Sequence, residues 1–213
     1  EEGDAAAILK KMTDYVSSQK QIAAAYDTDI EIITPGLQKI QFASSSQLSL
    51  ARPDKLRISR TGGYTNVDLI FDGEMTTIVA RDRNVFAQFE AAGSTDQLID
   101  KLRTDLSIEA PGADLLLSGA YDEMMKGVLE AKHIGRGVIA GIECEHLAFR
   151  NVETDWQIWI EAGPNPIPRK YVITSKAVTG GPQYTLSIRD WQSDAPLPPE
   201  TFAFKAPDDA RKI

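Results

Sequence analysis

The segment from residue 155 to residue 191 constrains the fold more than any other part of the chain. It contains three runs in which apolar and polar residues alternate, separated by the turn-rich segments GPNPIP and TGGP. A period of two is typical of antiparallel strands with one buried face and one wetter face. The residues that share the apolar face of the first and last runs are Trp156, Ile158, Ile160, Tyr184, Leu186 and Ile188. No catalytic group is needed to explain this pattern, so we expect the shape and apolarity of a sheet to carry the function.

The remaining patterns come in blocks. Apolar residues recur at helical spacing over 4–21 and 95–106, with Asp4 and Ser94 as N-caps, and an interrupted helical pattern covers 113–130. Strand patterns cover 28–34, 39–51, 55–60, 65–71, 75–80, 85–90, 131–138, 142–151, the three runs described above and 202–204. Strands and helices that do not alternate along the chain favour an antiparallel α+β fold.

We therefore predict an α+β fold with a strongly curved antiparallel sheet, a half-barrel of about 11 strands, whose concave face is covered by the helices. Twisted open sheets of that width rarely stay flat, which is why we expect the sheet to curl. No internal repeat, low-complexity tract or linker interrupts the sequence, so residues 1–213 are expected to form a single domain.

The charge balance argues against a nucleic-acid partner. Lys and Arg number 23 against 31 Asp and Glu, which gives a net charge of −8, whereas nucleic-acid binders usually carry the opposite balance or a dense basic stripe. No apolar run approaches the roughly 20 residues that span a bilayer. The chain begins at Glu1 without an apolar leader, and we expect a signal peptide to have been removed.

Signatures of enzymes and metal sites are weak. The sequence has no HExxH, GxSxG or P-loop motif, and we predict no catalytic residue and no cofactor. Cys144 and His146 share a strand face and His133 could pair across a hairpin, but a metal site would need another ligand. Structural roles are the default, so no metal is predicted. A hydrolase using scattered carboxylates is a third hypothesis, which would require two of them to converge in a cleft.

The segment SQLSLARPDKLRI places Leu48, Leu50 and Arg52 on one strand face, with Arg52 at the end of the apolar row. One interpretation is an arginine that extends its charged end to water at the end of a strand. The other is a switch. A guanidinium at this position could bond the exposed carbonyls at the C-terminus of a lid helix, until an apolar ligand displaces it.

Three motifs resemble the superfamily of periplasmic lipoprotein carriers and lipoprotein-localisation factors (LolA-like proteins). They are the Arg-Pro pair in LARPDKLRI, the Asp-Gly hairpin in LIFDGEMTTIV and the segment TFAFKAPDDA. Within that superfamily, the segments GIECEHLAFRN, DWQIWIEAGPNPIPRKYVITSK and YTLSIRDW most resemble the DUF2092 family of predicted periplasmic proteins. The resemblance covers residues 4–211. It implies a curved sheet closed by helices around an apolar cavity that shields acyl chains, and it gives Arg52 a role in lid opening. The region 91–140 does not match the carriers, so surfaces that pass cargo to a receptor are not carried over.

These observations together predict a non-enzymatic periplasmic or secreted protein that holds a lipid or another acylated ligand between sheet and lid. The expected partners are a lipid, an acyl chain or a lipoprotein, with a membrane-associated protein as a further candidate. The predicted ligand-binding residues are Leu48, Leu50, Arg52, Trp156, Ile158, Ile160, Tyr184, Leu186 and Ile188. The same alternation of apolar and polar residues is expected whether the interior holds a cavity or is filled with side chains. The alternative is therefore a protein-interaction or sensory module of the envelope with a filled interior. In that case Trp159 and Trp191, on the opposite strand faces, would mark a partner surface.

Overall fold

A computed structural model describes residues 2–108, 110–194 and 196–213, with side chains described from residue 4 onward in these ranges. The helices in this part of the chain are α1 (Glu2–Ser18), α2 (Thr95–Thr104) and α3 (Ala120–Met125). The strands are β1 (Gln21–Ile33), β2 (Lys39–Ala51), β3 (Lys55–Gly62), β4 (Asn66–Phe71), β5 (Met75–Ala80), β6 (Val85–Glu90), β7 (Glu130–Ile139), β8 (Ile142–Arg150), β9 (Thr154–Glu161), β10 (Pro168–Ser175), β11 (Gln183–Ser193) and β12 (Arg211–Lys212). Short 3-10 turns cover Arg81–Arg83, Ala113–Leu116 and Pro199–Phe202.

The twelve described strands belong to one hydrogen-bonded sheet with the order β12-β6-β5-β4-β3-β2-β1-β11-β10-β9-β8-β7. Hairpin neighbours such as β4 and β5 pair antiparallel, whereas β12 pairs parallel with β6. The predicted class, α+β with one large antiparallel sheet, is confirmed.

Three local predictions were wrong. The predicted strand 202–204 is not formed: Phe202 ends a 3-10 turn that begins at Pro199, and the next two residues belong to no helix or strand. The prolines at 198 and 199 favour a turn here, because proline cannot donate to a sheet ladder. Strand β1 begins seven residues earlier than predicted, because the alanines near its start carry no alternation of apolar and polar residues and the sequence predicts no element for residues 22–27. Asp4 lies inside α1 and is not its N-cap.

The chain divides into two compact units, where a single domain was predicted. Unit 1 comprises Glu1–Ser18, Asp27–Ala43 and Asp114–Arg189. Unit 2 comprises Gln19–Tyr26, Ser44–Ala113 and Asp190–Ile213.

In unit 1, α1 packs on β7, β8 and α3. The buried stripe of α1 consists of Ala5, Leu9, Met12 and Val16, none of which is more than 1% exposed. Their spacing of four, three and four residues places them on one side of a helix. The helix is therefore held by burial of an apolar stripe, as its sequence period predicted.

In unit 2, a capping box fixes the start of α2. The Ser94 side chain accepts from the backbone N–H of Gln97, and the Gln97 side chain accepts from the backbone N–H of Ser94. The apolar side of α2 buries Leu98, Ile99 and Leu102. Leu106, predicted on the same side, lies beyond the end of the helix and is exposed.

The capping box leads to a first prediction. Ser94→Ala should lower the free energy of unfolding by about 1 kcal/mol, because the backbone N–H of Gln97 loses the hydroxyl that accepts its hydrogen bond. Urea denaturation followed by circular dichroism measures this change. Asp100→Ala, at an exposed position of the same helix, is the control and should change stability by less than about 0.5 kcal/mol. Equal effects of the two substitutions would contradict the assigned role of Ser94.

Candidate ligand-binding site

Five consecutive strands of unit 2 each place an aliphatic residue at the same level of the sheet. Directly paired residues on neighbouring strands point to the same side, and the registers of β2 to β6 connect one such residue to the next. We call this set the aliphatic row; its members are Leu48, Ile58, Leu69, Ile78 and Ala87. Leu48 is 6% exposed and the other four are only half-buried. Unit 2 therefore presents a continuous line of accessible apolar surface.

The next set of directly paired residues on the same face, two positions along each strand, is mostly buried. We call each such set of paired residues a level of the face. This level consists of Leu50, Leu56, Phe71, Thr76 and Phe89, of which the first four are at most 2% exposed. At this level Lys101 of α2 donates to the carbonyl of Glu90 at 2.8 Å, and its ammonium lies 5.8 Å from the centroid of the Phe89 ring. Helix α2 thus lies at this end of the face, beside the aliphatic row.

The level on the other side of the row carries a polar cluster. Arg60 is exposed and donates from Nε to the Ser44 hydroxyl at 3.1 Å. The Tyr26 hydroxyl forms a hydrogen bond with Ser46. Burial raises the pKa of Tyr26, although the hydrogen bond from Ser46 and the charge of Arg60 act in the opposite direction. We call Tyr26, Ser44, Ser46 and Arg60 the polar cluster.

The opposite face of these strands is covered by the end of the chain. Arg57 donates to the carbonyl of Thr201 at 3.1 Å, and the rings of Phe86 and Phe204 lie 5.0 Å apart. Phe202 is buried. The apolar residues that had predicted a strand at 202–204 therefore serve to pack the C-terminal segment on the sheet.

Arg52 lies at the N-terminal end of α2. The backbone N–H of Thr95 donates to the carbonyl of Pro53 at 2.8 Å, which ties the start of the helix to the turn between β2 and β3. Burial lowers the pKa of the Arg52 guanidinium, and the nearby Asp96 carboxylate, in the first turn of α2, opposes that effect. The hypothesis drawn from the sequence placed Arg52 at the C-terminus of a lid helix. In the structure, Arg52 lies near the N-terminus of α2.

The other predicted ligand-binding residues lie in unit 1, where the face is largely filled. Trp156, Ile158, Ile160 and Leu186 are buried, while Tyr184 and Ile188 are half-buried. The Trp156 ring stacks on Phe149 at 3.8 Å, meets Tyr171 edge-on at 5.7 Å, and donates from Nε1 to Asn151. These side chains pack on protein groups in this conformation, so unit 1 offers less accessible apolar surface than the aliphatic row.

The residues weighed for metal binding have other contacts. His133 bonds Glu145 at 2.8 Å, His146 bonds Gln157 at 2.9 Å, and burial raises the pKa of the Cys144 thiol. No group of three metal-ligating side chains occurs within residues 2–108, 110–194 and 196–213. The two carboxylates of β9 are likewise engaged, since Asp155 pairs with Lys176 and Glu161 with Arg169.

The two tryptophans of the alternative hypothesis are half-buried. In unit 1, Trp159 stacks on His146 at 4.1 Å, and the Lys170 ammonium lies 5.3 Å from its ring. In unit 2, Trp191 donates from Nε1 to the Ser193 hydroxyl.

Sequence reasoning missed most of the aliphatic row and the polar cluster. It placed β3 to β6 close to their observed bounds and identified the Asp72-Gly73 turn. It did not align the strands with one another, and only the alignment brings Ile58, Leu69 and Ile78 into line. The usable signal was the hairpin turn, because turn geometry sets register.

The sequence matches the model of the DUF2092 family, described as predicted periplasmic proteins, over residues 5–213. The chain therefore belongs to this family, as the resemblance predicted, and we place it in the periplasm. Of the helices in the described part of the chain, none has both the length and the apolarity of a membrane-spanning helix. No curated protein matches the sequence.

Solved structures that resemble this chain include an uncharacterised conserved protein from Thermus thermophilus. It has a TM-score of 0.58 and 10% identity, and the match covers 99% of this chain and 98% of that one. A chain of the Pseudomonas aeruginosa MucA/MucB complex has a TM-score of 0.52 and 10% identity, with 95% and 62% covered. A LolA superfamily protein from Nitrosomonas europaea has a TM-score of 0.43 and 11% identity, with 94% and 97% covered. The likeness to the first two shows a shared fold and, at these identities, nothing beyond it.

The position of Arg52 leads to a second prediction. Asp96→Asn should lower the free energy of unfolding by about 1 kcal/mol, because it removes both a charge near Arg52 and a favourable charge at a helix N-terminus. In an Arg52→Met background the same substitution should cost only the helix-terminus part, about 0.5 kcal/mol. The difference between the two urea-denaturation results is the coupling energy of the pair. Identical costs in both backgrounds would show that Arg52 does not hold α2 through Asp96.

Proposed function

We propose that the protein is a non-enzymatic periplasmic binding protein that holds an acyl chain or a similar hydrophobic ligand against the aliphatic row. The observation that carries this proposal is the row itself, five aliphatic side chains in line across five strands, four of them half-buried. Accessible apolar surface in a continuous line costs free energy in water and is characteristic of ligand and partner sites.

The magnitude is sufficient for useful affinity. Each methylene that leaves water contributes about 0.8 kcal/mol. Four strands spaced about 4.8 Å apart place roughly 14 Å of row between β3 and β6. That length is comparable to the roughly 15 Å of hydrocarbon in one leaflet of a bilayer. A single acyl chain therefore matches the row in length as well as in chemistry.

Closure of the site depends on α2 in this proposal. The helix lies at the level next to the row, its start is bonded to Pro53 in the turn after β2, and its Asp96 carboxylate lies near Arg52. A shift of α2 toward the row would cover a bound chain. Arg52 has the role of holding the helix near its N-terminus. The nine residues predicted from the sequence remain in the proposal. Leu48 belongs to the row and Leu50 to the buried level beside it. The six residues of unit 1 form part of its core, which would have to open before they could contact a ligand.

A specific observation favours the alternative, a protein-interaction module. Strand β7 of unit 1 has no neighbour on its outer side among the described strands, and it exposes Ile134 and Val138, the latter by 67%. Open edges with apolar side chains can accept an added strand from a partner. MucB, which has a similar fold, forms a complex with MucA.

The third prediction tests the proposed function with the uncharged dye N-phenyl-1-naphthylamine. Ile78→Thr should weaken dye binding by about five- to tenfold, because it removes about 1 kcal/mol or more of apolar contact. Fluorescence titration of the purified protein gives both dissociation constants.

The matched control is Val79→Thr, a similar substitution at the next residue of the same strand, on the opposite face of the sheet. It should lower the thermal midpoint through its buried hydroxyl and leave dye binding unchanged. If a folded Ile78→Thr variant binds the dye as the original protein does, the proposed function fails and the β7 edge becomes the better candidate.

A further inference from the structure

A cation lies beside the aliphatic row, next to Ile58 on β3. Arg60 follows Ile58 by two residues on β3, so the two side chains lie on the same face of the sheet. The Arg60 side chain is exposed, and its bond to the Ser44 hydroxyl fixes the orientation of Nε. A ligand lying on Ile58 would therefore have one of its ends within reach of a guanidinium.

Arg60 differs from the neighbouring arginines in having no carboxylate partner in the part of the chain that the structure describes. Arg57 and Arg81 both lie near Asp68, and Arg81 contacts it at 2.7 Å. Arg60, in contrast, forms no ion pair with a carboxylate of the described residues. Within that part of the chain, the guanidinium of Arg60 is therefore not neutralised by a neighbouring carboxylate. It provides an attractive position for an anion, and a guanidinium can bind a carboxylate or phosphate through two parallel hydrogen bonds.

The rest of the polar cluster adds neutral hydrogen-bonding groups. Tyr26 and Ser46 share a hydrogen bond, and burial raises the pKa of Tyr26. A tyrosine hydroxyl is in any case protonated at neutral pH. Hydroxyl groups can donate to an anion without adding a competing negative charge. The cluster thus places an exposed cation at one edge of an apolar surface, backed by three hydroxyls of which those of Ser44 and Ser46 belong to buried residues.

We propose that the polar cluster binds the anionic head group of a single-chain amphiphile whose hydrocarbon chain lies along the aliphatic row. This inference rests on the proposed function and narrows it from hydrophobic ligands in general to fatty acids and related anionic amphiphiles. The head group, a carboxylate or a phosphate, meets Arg60 on β3. The chain then runs over Leu69 and Ile78 toward Ala87 on β6.

The geometry favours this ligand over a neutral one. A neutral amphiphile would use the row but would leave the guanidinium with water alone. A small anion such as phosphate would use Arg60 but would gain nothing from the row. The two features lie next to each other on one face, and only an anionic amphiphile uses both.

The fourth prediction compares two probes that share a hydrocarbon chain and differ in charge, a fluorescent 16-carbon fatty acid and its methyl ester. We expect the protein to bind the acid about tenfold more tightly than the ester, because charge-assisted hydrogen bonds to a guanidinium form only with the acid. Arg60→Gln should remove this preference by weakening acid binding and leaving ester binding unchanged. Arg60→Lys should restore part of the preference, since it keeps the charge and loses the bidentate geometry.

The control variant is Arg83→Gln, which removes one positive charge from an exposed position of unit 2 outside the row. It should leave the preference for the acid intact, which separates direct contact from the general field of the protein. Inorganic phosphate at about ten times the concentration of the acid should compete poorly, because it has no chain to bury.

The outcomes distinguish binding of the head group from binding of the hydrocarbon chain. Equal affinity for acid and ester, or equal loss of both in Arg60→Gln, overturns the head-group proposal while hydrocarbon binding stands. Effective competition by inorganic phosphate alone also overturns it, in favour of a simple anion site. If neither probe binds, the proposed function itself fails, and the head-group assignment fails with it.

Discussion

The hydrogen-bond register of the hairpins β2 to β6 is the constraint on which the proposed site depends. A shift of one residue in any of these pairings would move every side chain of that strand to the other face. The observed registers bring one aliphatic residue from each strand into line and leave Asp68, Thr77 and Gln88 on the opposite side. The row is therefore a property of five strands together, and no single strand contains it.

The two faces of these strands differ in what covers them. The face opposite the row is covered by the C-terminal segment. Arg57 of the sheet donates to this segment, Phe86 of the sheet packs on Phe204, and Phe202 is buried. The face that carries the row has α2 at one end and the polar cluster at the other. In unit 1 the apolar level that contains Ile158 is closed, with this residue 0% exposed. Sheet faces of similar composition are thus filled in one place and accessible in another.

Much of the fold followed from periodicity and turn residues. Strands β2, β5 and β6 have the bounds that their sequences predicted, and the Ser94 capping box is formed. The errors occurred where two local signals compete. The alanines before Tyr26 suit a helix as well as a strand, and Phe202 and Phe204 alternate as in a strand although two prolines precede them.

The site was only partly predictable, for a different reason. The sequence placed Leu48 and Leu50 correctly on one face but could not tell that the first borders accessible surface and the second is sealed. The same limit applied to Trp156, whose alternation with polar neighbours is equally compatible with a cavity and with the stack on Phe149 that it makes. Exposure depends on what packs above a strand, and that information lies in distant segments.

The parallel pairing of β12 with β6 has a consequence for the solubility of the folded chain. The backbone N–H groups of Arg211 and Ile213 donate to the carbonyls of Asn84 and Phe86, so residues 211–213 occupy backbone acceptors along β6, at one margin of the sheet. An unoccupied strand margin is a template on which other chains can assemble into aggregates. The terminal residues shield this margin from neighbouring molecules, and the basic side chains of Arg211 and Lys212 add a charge barrier at the same place.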